Sequence, residues 1–110
     1  GGYCETIFSR NKALKNSKGV LYWMKVGEYF KIGISRISAE SRKKSLKWKC
    51  KCDVEIIYEI EMNLYTAFKI EQVLLDELKE FRIFTDYSTE LFTKDISEKL
   101  FKKIIIINNN

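Results

Sequence analysis

Tyr22, Lys31, Arg42 and Glu71 bring a phenol, an amine, a guanidinium and a carboxylate into a chain that has no histidine. Two of the four stand where helical periodicity asks for an apolar residue. In TAFKIEQVLLDEL, Glu71 lies four positions after Ala67, three before Leu74 and four before Leu75. Its carboxylate is therefore embedded in an apolar stripe, while Lys69, Gln72, Asp76 and Glu77 fall largely off it. In SAESRKKSLKW, Arg42 lies three after Ala39 and four before Leu46, which puts it on their inward stripe and turns it toward the core. A buried carboxylate is costly unless a cation or hydrogen bonds answer it. Two answers fit: a structural Arg42–Glu71 ion pair, or a carboxylate that holds a divalent metal beside an arginine that meets phosphate.

The other two groups sit on a β-hairpin. In GVLYWMKVGEYFKIGIS, two apolar runs flank Gly27-Glu28, the signature of a two-residue loop of the primed type. Such a loop pairs Val26 with Tyr29, Lys25 with Phe30, Met24 with Lys31, Trp23 with Ile32 and Tyr22 with Gly33. Leu21, Trp23, Phe30, Ile32 and Ile34 then share an apolar face, and Tyr22, Met24, Lys31, Gly33 and Ser35 share the other. Tyr22 faces a residue without a side chain, which leaves open space where a phosphate could approach. The plainer reading makes Gly33 a bulge and Tyr22 a half-buried strand aromatic.

The whole chain must supply these elements from 110 residues, enough for one ordinary core. No apolar run of about 18 residues exists to span a membrane, and the N-terminus lacks the build of a secretory signal. Cys4, Cys50 and Cys52 are too few soft ligands for a closed zinc site and read as reduced thiols of an intracellular, cytoplasmic protein. Charge is polarised. Residues 1–52 hold 13 Lys or Arg against 3 acids, a surplus of +10, and residues 53–110 hold 7 against 12, a deficit of −5. Arg42, Lys43, Lys44, Lys47, Lys49 and Lys51 crowd one stretch around Trp48 without an intervening acid. Such a strip suits a polyanion, whose condensed counterions it would release, or is simply a solvated basic face.

The expected elements are a short basic helix near 5–15, strands at 20–26 and 29–35, and a helix capped by Ser38 running to about Trp48. DVEIIYEIEM, 53–62, reads as a third strand and 65–81 as the strongest helix. TDYST marks a turn, and 90–93 is a short extended piece. Asp95 with Glu98 resembles a capping box for a last helix, which fades into the β-branched Ile104 to Ile107 and an Asn tail.

In this order, Gly-Val-Leu-Tyr ending at Tyr22, Lys31-Ile32-Gly33, Arg42, Glu71 and a late Thr-Glu-Leu-Phe resemble the GIY-YIG nuclease superfamily. The closer likeness is to the branch common in phages, whose second motif reads Lys-Ile-Gly. The resemblance covers about residues 19–93 of a single domain spanning 1–110, with a basic extension at 1–18 and a C-terminal helix and tail at 95–110. It implies an α/β (α+β) fold, a small three-stranded antiparallel sheet flanked by helices. It also implies metal-dependent endonuclease cleavage of DNA, nicking or site-preferring, of phage or mobile-element type, inside a bacterial host.

By the same resemblance, Tyr22 takes part in activating the attacking water and Gly33 gives that water room. Glu71 ligates one Mg2+ or Mn2+, and Arg42 braces the transition state. Lys31 replaces a second tyrosine and would lower the pKa of Tyr22 or touch the phosphate. Leu46 stands where members often carry His or Tyr, and Ser35 is a weak substitute for a late polar residue that some members bring to the site. Family nuclease domains usually borrow specificity from an attached module. Here Lys43, Lys44, Lys47, Trp48, Lys49 and Lys51, a separate DNA-binding protein or a further segment would provide the grip. A catalytically inactive nucleic-acid-binding domain and a protein-interaction module that meets an acidic partner are the alternatives.

Overall fold

Gly27 turns the hairpin with φ +61°, the positive value that the first position of a two-residue loop requires. In the computed structural model, which describes residues 3–87, 90–96 and 98–109, that turn joins β1 (Lys18–Val26) to β2 (Tyr29–Ser35). Their register pairs Val26 with Tyr29, Met24 with Lys31 and Tyr22 with Gly33, as the loop length demands. The rest of the chain builds outward from this pair. On one side lies β3 (Val54–Asn63), with a register shift between Trp23 and Met24; on the other lie β5 (Glu90–Phe92) and β4 (Arg82–Phe84). The result is an α+β fold with one antiparallel sheet of five strands, ordered β3-β1-β2-β5-β4. The expectation of three strands is corrected: β5 forms within the extended piece expected at 90–93, and both it and β4 are three residues long, too short for an alternating pattern to place them in the sheet.

Helices cover both faces. Leu21, Trp23, Ile32 and Ile34 pack under α1 (Glu5–Arg10), α2 (Lys12–Lys15), α4 (Leu64–Leu78) and α5 (Glu98–Asn109). Val20, Tyr22, Met24 and Val26 pack under Ala39 and Leu46 of α3 (Ala39–Cys50). β1 is consequently buried on both faces along nearly its whole length, and the face carrying Tyr22 is no open surface. Phe30 is only half-buried, beside its partner Phe92 on β5.

Capping fixes where the site-bearing helices begin. The Ser38 side chain accepts from Ser41 N at 3.0 Å, and Asn63 Oδ1 accepts from Thr66 N at 3.0 Å. The basic N-terminal segment is two helices broken at the extended Asn11. Asp95 accepts from Trp23 Nε1 at 2.9 Å, and Glu98 opens α5 instead of standing three residues inside it, so the expected capping box is not formed. The isoleucines do not end α5, because Ile104 and Ile105 bury in the core with Phe101. Ser88 and Thr89 of the expected turn, Ser97, and Asn110 of the expected tail lie outside the described residues.

The thiol expectation is corrected as well. Lys51 adopts the left-handed conformation at the end of α3, φ +52°, bringing the Cα atoms of Cys50 and Cys52 to 5.2 Å, and the two form a disulfide. Cys4 is free and exposed. Among the described residues no helix is long and apolar enough to cross a membrane.

Candidate active site

Along residues 31–35, the edge of β2 away from β1 carries no strand among the described residues, because β5 pairs with β2 at Phe30 alone. That missing partner leaves a cavity of about 590 Å3. Its lining includes Lys31 and Gly33, which face the α3 layer, and Ile32 and Ile34, which face the α4 layer. A cavity that wraps the strand edge in this way can receive side chains from both layers. Tyr22 reaches it from β1, Arg42 and Lys49 from α3, and Glu71 from α4. The four groups singled out by chemistry thus line one space, although Glu71 belongs to the opposite helical layer from Arg42.

Several details differ from expectation. The space over Gly33 is not open to a phosphate, since the Tyr22 ring occupies it. A Cβ on Gly33 would overlap Tyr22 Oη and Cζ and lie 2.9 Å from Cε1. Glycine here serves close aromatic packing across the pair. Arg42 is exposed at the cavity and not turned into the core, although Ala39 and Leu46 on its stripe are 0% and 6% exposed. Ala39 and Leu46 on either side of it pack against the sheet, and Arg42 between them opens onto the cavity. Among the described residues no Arg42–Glu71 ion pair forms; Lys31 is the leading cation whose charge acts on Glu71.

Burial sets the electrostatics. It pushes the Glu71 carboxyl from 4.5 up to about 7, against the pull of Lys31 and a 3.3 Å hydrogen bond donated by Gln72 Nε2. Burial also lowers Lys31, with Glu71 opposing and Arg42 and Lys49 adding to the fall. Tyr22 is 3% exposed, and burial drives its phenol to about 12, with Arg42 pulling it down and Glu71 pushing it up. The idea that Lys31 depresses the Tyr22 pKa finds no support: Arg42 is the lowering charge, and desolvation outweighs it.

The basic strip divides. Lys49 lines the cavity, while Lys44, Lys47 and Lys51 are exposed, Lys43 is half-buried and Trp48 is 83% exposed. Leu46 is an apolar wall, with no group there to carry a proton. Ser35 does not line this cavity. Three lining residues escape sequence reasoning: Tyr3, Ser45 and Phe84. Glu90 sits in the late Thr-Glu-Leu-Phe segment and is the nearest thing to a late polar contribution. Its side chain accepts from Arg82 at 3.5 Å, and its charge helps to raise Glu71. Phe84 is 71% exposed, with the Arg82 guanidinium 5.1 Å from its ring centroid.

Oxygen ligands suit a hard cation such as Mg2+, which keeps most of its waters and takes few protein carboxylates. Glu71, whose buried carboxyl is raised to about 7, fits that need, and Glu90 lines the same cavity. Among the described residues no three His, Cys, Asp or Glu side chains come together, so a bound ion would rely on water and substrate for its remaining ligands. No protein-family model, curated protein sequence or solved structure matches the chain.

Proposed function

We propose that this protein is a metal-dependent endonuclease of the GIY-YIG kind that hydrolyses a DNA phosphodiester bond, one strand per encounter. The observation that supports this reading is the convergence of Tyr22, Lys31, Arg42 and Glu71 on one cavity at the open edge of β2. One Mg2+ or Mn2+ on Glu71 would supply Lewis-acid charge to a non-bridging phosphate oxygen.

The chain's own groups do the rest. Arg42 and Lys49 face the phosphate and offset the negative charge that grows in the transition state. A phenol near 12 stays protonated at neutral pH, so Tyr22 orients the attacking water and does not take its proton. Lys31, whose charge acts on Glu71, meets the phosphate in the same cavity, and the attacking water loses its proton to solvent as the new P–O bond forms. The ester oxygen that leaves is protonated from solvent.

A nucleic-acid-binding domain without catalysis is the second reading, favoured by the apolar Leu46 and by the high Tyr22 pKa. The two separate on supercoiled DNA. An active enzyme makes nicked circles with Mg2+ or Mn2+ and none with a chelator; a silent one retards the DNA and leaves it closed.

A further inference from the structure

A second cavity of about 610 Å3 adjoins the first and shares Tyr3, Arg42 and Ser45 with it. Its polar lining is otherwise Ser35, Arg36 and Ser41, and no acid lines it, whereas the first cavity has Glu71 and Glu90. Arg36 and Arg42 are exposed, and neither makes an ion pair among the described residues. Ser35 is 3% exposed; its Oγ accepts from Ile37 N at 3.0 Å, and its proton goes to no acceptor among the described hydrogen bonds. Ser41 and Ser45 stand one helical turn apart on α3, on either side of Arg42 in the chain. Two guanidiniums and several hydroxyl donors without a carboxylate make a lining that matches an oxyanion with several acceptor oxygens.

We infer that this second cavity is a subsite for a further backbone phosphate of a nucleic-acid strand, beside the phosphate held at Arg42. The inference rests on the nuclease reading for its choice of ligand. Arg42 then bridges two successive phosphates, and Arg36 is a positioning residue that sets where the strand lies relative to Glu71 without touching the bond that breaks.

The test is binding of a labelled short DNA duplex, followed by fluorescence anisotropy over a range of salt with EDTA present, so that cleavage plays no part. Arg36→Gln should weaken binding about tenfold and make the slope of log K against log salt less steep by about 0.9, the value of one lost phosphate contact. Arg36→Lys should restore most of the slope. Lys103→Gln, an exposed lysine on α5 in the opposite layer, should change neither quantity by more than about twofold or one-third of a contact. Equal behaviour of Arg36→Gln and Lys103→Gln overturns the subsite, as does a wild-type protein that binds no duplex at low salt. The nuclease reading fails on a different readout: wild-type protein that shows the Arg36 slope change but cuts no DNA with Mg2+ or Mn2+ loses the hydrolysis and keeps the subsite.

Discussion

The Tyr22 ring lies across the bare Cα of Gly33 on the neighbouring strand, so that any Cβ at Gly33 would collide with the phenol. One glycine thereby lets the Tyr22 ring cross the strand and line the cavity that it shares with Lys31, Arg42 and Glu71.

Replacing that glycine tests the packing. Strand propensity alone would make alanine better than glycine by about 0.5–1 kcal/mol. The clash reverses the sign, and Gly33→Ala should lower stability by about 1–3 kcal/mol, the range of overpacked sites. Urea unfolding of the two proteins measures it; an unchanged or raised midpoint would show that the ring moves aside freely.

Glu71 is a liability to the fold. Its folded pKa of about 7 exceeds the ordinary 4.5, so the fold favours the protonated form. Its contribution is fully present below about 4.5 and is lost as pH rises through about 7. Glu71→Gln imitates the neutral acid, and at pH 8 it should raise the melting temperature by roughly 5 °C relative to wild type, with little difference near pH 4.5. Melts at both pH values in EDTA decide the matter; equal shifts at the two would contradict the assignment.

Metal dependence should follow the same carboxylate. Protons compete with the cation for Glu71, so the concentration of Mn2+ or Mg2+ needed for half-maximal activity should rise about tenfold for each pH unit below 7 and flatten above it. Metal titrations of the rate at several pH values check this, and a requirement independent of pH would remove Glu71 as the ligand.

How much of this was legible before the fold was known depends on the range of the signal. The hairpin register followed from Gly27-Glu28 because a two-residue loop permits one pairing. The long helix followed from its apolar stripe, and the odd carboxylate on that stripe pointed to the cavity. Arg42 misled, because periodicity names a stripe but does not say where a cavity interrupts the surface it packs on. The extended piece at 90–93 was legible but its place in the sheet was not, and Phe84 was hidden outright: three-residue strands have no period, and their position comes from pairing with each other and with Phe30. The Cys50–Cys52 bond depended on a left-handed Lys51, a conformation that a lysine codon does not announce.

Trp48 separates binding from folding. At 83% exposed it contributes little to the core, so Trp48→Ala should change stability by less than about 0.5 kcal/mol. If it stacks on bases beside the basic strip, the same change should weaken DNA binding about tenfold. Paired melts and anisotropy titrations report both; lost stability with unchanged affinity would make it a packing residue.

The most direct measurement compares wild type with Glu71→Gln on supercoiled DNA in Mn2+ or Mg2+, with the early products counted. Wild type should yield nicked circles before any linear DNA. The variant should cut at least about a thousandfold more slowly while binding DNA within about twofold of wild type. Equal cutting by the two proteins, or none by wild type under any divalent ion, would contradict the account.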